Sequence, residues 1–158
     1  MTAVSVVCFL GGCSAAGSSD SEAEVFNTEE EALEDFSEGV HGEILIIHTT
    51  SGDQLMVANR VQDNFHIGES FKTDGGYAAV RLTTGISLHD TSSTEGTTTS
   101  QDGNEYAIII TDEQEEQAVP FAENWYVSVM KAGDSSEESD DGTLYHGENA
   151  IESVEVLD

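Results

Sequence analysis

The chain has 158 residues, with 32 aspartate and glutamate residues against four lysine and arginine residues, so its formal net charge is −28 at pH 7. Such a charge repels nucleic acid and anionic lipid surfaces, which excludes nucleic acid as a partner. The length suits a single domain that buries a hydrophobic core of its own.

An apolar run at the start of the chain ends in Leu10-Gly11-Gly12-Cys13, and small and acidic residues follow it. This box resembles the lipobox of small secreted bacterial-type lipoproteins, in which the signal peptide is cut before a cysteine that takes a diacylglycerol. The resemblance implies a signal-like segment over residues 1–12 and lipid attachment at Cys13. It also implies that the rest of the chain is held on the extracellular face of the cell membrane.

Two observations bear on this signal peptide. No lysine or arginine precedes Cys13, although a secretory segment normally begins with positive charge, so we expect the true start codon to lie upstream. The apolar run is also shorter than the roughly 20 residues of a membrane-spanning helix, so the expected membrane anchor is the lipid itself. The alternative is an ordinary N-terminal strand or helix that ends in Gly-Gly-Cys.

Residues 13–26 are small, polar and acidic, and we expect them to form a flexible tether. A single β-rich domain is expected over residues 27–158. It begins with a short helix, because Thr28 and Glu31 have the spacing of a capping box and Gly39 supplies a stop. Leu33 and Phe36 share one face of this helix and are expected to pack on a sheet.

Beyond Gly42 the pattern becomes typical of β-strands, with β-branched and aromatic runs between turn residues. Continuous apolar runs at residues 44–47 and 107–110 indicate central strands, whereas the alternating last strand indicates a sheet edge. Residues 65–72 show only a weak strand pattern, and residues 91–103 and 134–142 are expected to be surface loops. The predicted strands are Glu43 to Thr49, Gln54 to Arg60, Tyr77 to Thr84, Glu105 to Thr111, Trp125 to Lys131 and Ile151 to Leu157.

These elements predict a mainly β (α+β) fold, in which one short N-terminal helix precedes a largely antiparallel sheet. The sheet is expected to form a sandwich or a partly open barrel. Residues 46–53 are also similar to a stretch in the globular heads of archaeal pilins, but the long apolar assembly helix of pilins is missing. A filament role is therefore not expected.

The acidic composition has two interpretations. Depletion of lysine along the whole chain favours adaptation to high salt, where an anionic surface stays hydrated and its self-repulsion is screened. The alternative is a soluble acidic inhibitor, a nucleic-acid mimic that occupies the basic groove of another protein. We expect a halophilic source.

No catalytic motif or cofactor-binding motif is evident in the sequence. The five histidines, His41, His48, His66, His89 and His146, lack the close pairing of zinc sites. Glu137, Ser139, Asp141 and Glu148 occupy the first, third, fifth and twelfth positions of a partial calcium loop, for which the alternative is an acidic surface loop.

The sequence therefore predicts a monomeric, non-enzymatic, lipid-anchored domain that binds an envelope protein or a small ligand, or supports the envelope. The alternatives are the acidic inhibitor described above and an enzyme with an unmarked carboxylate site.

Overall fold

The computed structural model describes residues 23–61, 64–83, 85–88, 91–122, 124–132 and 147–157. The predicted mainly β fold is confirmed: one short helix accompanies eleven strands in this part of the chain. The elements are α1 Glu29–Ser37, β1 Ile44–Thr49, β2 Gln54–Val61, β3 Asn64–Thr73, β4 Gly76–Arg81, β5 Ile86–Ser87, β6 Ser93–Thr99, β7 Glu105–Thr111, β8 Val119–Phe121, β9 Trp125–Lys131, β10 Glu148–Asn149 and β11 Ile151–Leu157.

The strands form two antiparallel sheets that face one another. Sheet A has the order β11-β1-β2-β3-β4, with β5 also paired to β3. Sheet B has the order β10-β9-β7-β6, with β8 also paired to β9. The predicted central positions of β1 and β7 and the edge position of β11 are therefore confirmed.

The main hydrophobic core lies between the sheets. It joins Leu45 and Ile47 of sheet A to Ile108, Ile110 and other residues of sheet B. Period-two alternation sends their neighbours Ile44 and Ile46 to the opposite, outer face of sheet A. A second cluster forms there, because α1 covers part of that face.

Helix α1 begins and ends as the sequence predicts. The Thr28 hydroxyl accepts a hydrogen bond from the Glu31 amide at 3.2 Å, and the Glu31 carboxylate accepts one from the Thr28 amide at 3.3 Å, which completes the capping box. Gly39 follows the helix with a φ of 78°, a left-handed conformation that favours glycine. Leu33 and Phe36 pack on the outer face of sheet A, as expected.

One expectation about the strands is wrong, and one segment with a weak strand pattern proves to be a long strand. Residues 91–103 contain strand β6, which pairs along its length with β7. Its threonines are β-branched and suit an edge strand, so the polar composition of this segment concealed its β-propensity. The weak segment 65–72 lies within β3, the ten-residue strand between β2 and β4. Its apolar pattern is interrupted because Gly68 lies under the Phe36 ring and Glu69 enters the interior between the sheets.

Candidate functional site

A groove lies beside α1 on the outer face of sheet A, next to β1 and β11. Its cavity volume is about 920 Å³. The residues that line it are Thr28, Glu29, Glu30, Leu33, Glu34, Ser37, Val40, Gly42, Ile44, Ile46, His48, Gln54, Glu155 and Leu157.

Contacts at both ends of α1 fix the helix above the sheet. Near its N-terminus, the Glu29 carboxylate accepts hydrogen bonds from the Gln54 side-chain amide at 2.7 Å and from the Ser70 hydroxyl at 3.4 Å. At its C-terminus, the Arg60 guanidinium donates to the Glu38 carbonyl at 2.9 Å. Between them, the Phe36 ring fills the space above Gly68. The groove is therefore bounded by a helix with fixed ends.

The groove has an apolar floor and an acidic rim. Ile44 and Ile46 form the floor and are only 2% and 5% exposed. The half-buried Leu33 and the exposed Leu157 add apolar surface from α1 and β11. The exposed acidic side chains at the rim are Glu30 and Glu34 of α1 and Glu155 of β11. This arrangement suits a ligand that combines an apolar group with positive charge.

His48 lies on the β11 side of the groove, within a strand as the sequence predicts. Its Nε2 is 3.5 Å from Oε1 of Glu155, so protonation of the imidazole makes this contact an ion pair. The two side chains are 35% and 70% exposed, respectively, although the Nε2 atom of His48 is itself buried. His48 therefore supplies a polar group beside the apolar floor.

A hydrogen-bonded cluster of polar side chains lies between the two sheets. The Tyr106 hydroxyl donates to Oδ2 of Asp53 at 2.6 Å, and the Asn104 side-chain amide donates to the same oxygen at 2.9 Å. The Thr49 hydroxyl accepts from the Asp53 amide at 3.0 Å and lies 3.1 Å from the Tyr106 hydroxyl. Burial, followed by the bond to Asp53, raises the pKa of Tyr106. This group links the β1–β2 turn of sheet A to β7 of sheet B.

Glu69 belongs to the same end of the molecule. Its side chain is 2% exposed, and its carboxylate accepts a hydrogen bond from the Gln101 amide at 2.8 Å. Burial raises the pKa of Glu69 to about 7; the Gln101 bond opposes the shift, and the nearby Asp53 and Asp102 charges add to it. Neither Glu69 nor Asp53 lines the groove, so these buried carboxyls act within the structure that joins the sheets.

Most of the site residues proposed from the sequence lie outside the described residues. This applies to Cys13, and to Glu137, Ser139 and Asp141 of the calcium loop. Glu148, the fourth calcium candidate, is exposed in β10 and lies opposite Lys131 of β9. His89 and His146 are also outside the described residues, whereas His41 is exposed and His66 is buried in β3.

Among the residues that the structure describes, no group of three or more histidine, cysteine, aspartate or glutamate side chains is placed to hold a metal ion. Within the same residues, no helix has the length and apolar character needed to cross a membrane. The chain matches no known protein-family model, no characterised protein and no solved structure.

Sequence reasoning did not predict the groove. The apolar face of α1 indicated that the helix packs on a sheet, but not that it packs over β3 and β4 and leaves a cavity beside β1 and β11. The only available signal was the continuous apolar run of β1, which requires cover on both faces. Helix α1 covers only part of the outer face of sheet A, and the groove lies over the part that it leaves uncovered.

Proposed function

We propose that this chain is a non-enzymatic binding domain tethered to the outer face of a cell membrane through a lipid on Cys13. Its ligand is a segment of another envelope protein that carries an apolar side chain flanked by lysine or arginine. The groove beside α1 receives this segment. The observation that carries the proposal is the combination of an apolar floor and an acidic rim in one cavity of about 920 Å³.

The charge of the groove favours a basic partner. Glu34 of α1 and Glu155 of β11 both line the cavity, and among the described residues neither forms an ion pair with a lysine or an arginine. An incoming lysine or arginine gains contact with both, and its aliphatic stem can lie along apolar surface. An apolar side chain in the groove covers the exposed Leu157 and the half-buried Leu33, whereas Ile44 and Ile46 are already almost fully buried.

The binding test uses a fluorescent peptide of alternating leucine and lysine and a matched peptide of leucine and glutamate. We expect the basic peptide to bind and the acidic peptide not to bind. The double variant Glu34→Lys/Glu155→Lys should weaken binding of the basic peptide at least tenfold. Fluorescence anisotropy at fixed ionic strength measures both effects.

A control variant separates the groove from the overall charge. Glu115→Lys/Glu116→Lys makes the same change in net charge on the exposed loop between β7 and β8, away from the groove. Its affinity should stay within twofold of the wild type. Equal weakening in both double variants would mean that the peptide senses only net charge, and the groove proposal would be abandoned.

The lipid anchor has a separate test. The resemblance of Leu10-Gly11-Gly12-Cys13 to a lipobox supports it, and two acyl chains give durable attachment at about 0.8 kcal/mol per buried methylene. We expect the native protein to partition into detergent and Cys13→Ser to remain in the aqueous phase. Mass spectrometry that finds an unmodified Cys13 still joined to residues 1–12 would end the anchoring proposal without touching the groove.

A halophilic source is part of the same proposal. The excess of 32 acidic over four basic residues supports it, because molar salt shortens the range of charge repulsion to about 3 Å. Contacts in the groove then depend on direct ion pairing and apolar burial.

A further inference from the structure

Two of the four basic residues of this acidic chain lie close together on the outer face of sheet A. His66 of β3 is opposite Ala58 of β2, and Arg60 lies two residues further along β2, at an irregularity of the ladder, close enough for its charge to act on His66. Gly68 of β3 is opposite Arg81 of β4, which places Arg81 diagonally on the other side of His66. Diagonal neighbours in an antiparallel sheet lie within reach of long side chains.

Within the part of the chain that the structure describes, no carboxylate forms an ion pair with either arginine. Among the described residues, the single ion-pair contact joins His48 to Glu155. Arg60 donates one hydrogen bond, to the Glu38 carbonyl, and its Nε has no acceptor. Arg81 is exposed and forms no hydrogen bond with another described residue. Both guanidinium groups therefore keep unused N–H donors.

Arg60 has a structural role in the fold, whereas no contact among the described residues gives Arg81 one. Arg60 satisfies a carbonyl at the end of α1, whereas Arg81 adds a like charge beside it. Partial desolvation of the guanidinium and the charge of Arg60 lower the pKa of Arg81, although the side chain is exposed. Burial also lowers the pKa of His66; Arg81 and Arg60 lower it further, against a hydrogen bond to the Thr83 backbone. The repulsion between the two guanidinium groups destabilises the folded protein, and a bound anion would remove this repulsion.

We infer that Arg60 and Arg81 form a binding site for a phosphate-class oxyanion. The site is separate from the groove ligand and from the lipid anchor, and it stands or falls independently of both. Guanidinium groups present planar pairs of N–H donors that match the oxygens of phosphate, so two of them suit a doubly charged anion.

The net charge of the protein decides between two sources of this phosphate. An extended anionic membrane brings many like charges against a wide area of the acidic surface, so its close contact is repelled even where salt shortens the range of repulsion. A small soluble anion needs to approach only the local pair, where the arginines dominate at high ionic strength. We therefore assign the site to a soluble phosphate group, and a lipid headgroup is tested as the other source.

The test is isothermal titration with inorganic phosphate, with sodium chloride adjusted to keep the ionic strength constant. Wild-type protein should give saturable binding. Arg81→Gln should weaken it at least tenfold, whereas Lys131→Gln, which removes a positive charge from sheet B, should leave it within twofold. Without phosphate, Arg81→Gln should unfold at the same or a higher urea concentration, because the substitution relieves repulsion from Arg60.

Three outcomes decide the proposal. Saturable binding that depends on Arg81 supports the soluble source. Sedimentation with phosphatidylglycerol vesicles that depends on Arg81 supports the same chemistry on a lipid headgroup. If phosphate gives no saturable heat and the vesicles bind wild type and Arg81→Gln alike, or if Arg81→Gln binds phosphate as tightly as wild type, the oxyanion site does not exist.

Discussion

Replacement of Glu69 by glutamine should stabilise the protein, and more so at high pH. In the folded chain the pKa of Glu69 is raised to about 7 from an ordinary value of 4.5, chiefly because the carboxyl is buried. The folded state therefore holds its proton between about pH 4.5 and 7, where the unfolded state has lost it. Stability contributed by protonated Glu69 is complete below this window and disappears as pH rises through it.

The magnitude follows from the width of that window. A difference of one pKa unit corresponds to 1.36 kcal/mol, so the shift of Glu69 from 4.5 to about 7 amounts to about 3 kcal/mol above pH 7. Glutamine keeps the acceptor for the Gln101 amide and cannot ionise. The free energy of unfolding of Glu69→Gln should thus exceed that of the wild type by roughly 1 to 3 kcal/mol at pH 8 and by little at pH 5.

Urea unfolding followed by the fluorescence of Trp125, the single tryptophan, measures this difference. Trp125 packs edge-on against Phe65 in the core at 5.8 Å between ring centroids, so its emission should report loss of the interface between the sheets. Glu105→Gln, a substitution of an exposed glutamate, controls for the loss of one negative charge. A gain for Glu69→Gln that is equal at pH 5 and pH 8, or a loss at pH 8, would refute the reasoning.

Four further results are expected. Thr28→Ala removes one half of the capping box and should cost about 1 kcal/mol in thermal unfolding; no loss would mean that the first turn of α1 is held by other contacts. Tyr106→Phe deprives buried Asp53 of its shortest hydrogen bond and should cost roughly 1 to 3 kcal/mol in urea unfolding, and an unchanged midpoint would contradict a linking role. Gly68→Ala places a methyl group in collision with the edge of the Phe36 ring and with the Val80 carbonyl. The substitution should therefore displace α1 and lower the free energy of unfolding by roughly 1 to 3 kcal/mol. A thermal melt by circular dichroism that matches the wild type would contradict this. The wild-type unfolding midpoint should rise between 0.1 and 2 M potassium chloride, whereas equal stability at both concentrations would argue against halophilic adaptation.

Local chemistry made much of the fold predictable from the sequence. The spacing of Thr28 and Glu31 determines where α1 begins, and the apolar runs of β1 and β7 determine which strands are central. Strand β6 was not predicted because its residues are mostly polar threonines, so neither an alternating pattern nor hydrophobicity marks the segment as a strand. Pairing with β7 is a tertiary fact, and no local window of sequence contains it.

The groove and the arginine pair share the same origin, since both arise between elements that are distant in the chain. The rim combines Glu34 of α1 with Glu155 of β11, and that combination depends on β11 pairing with β1. Composition alone made every carboxylate look equivalent. The structure separates them into a buried group around Glu69 and Asp53 and an exposed rim around an apolar floor.

Under the proposed function, the same separation gives a very acidic chain a way to select its ligand. Exposed carboxylates spread over a surface attract any cation weakly, and high salt screens that attraction. The groove adds an apolar floor that salt does not screen, so a basic segment without an apolar side chain should bind poorly there. The converse holds for the proposed anion site, because positive charge is rare in this chain and Arg60 and Arg81 bring two of its four basic residues together.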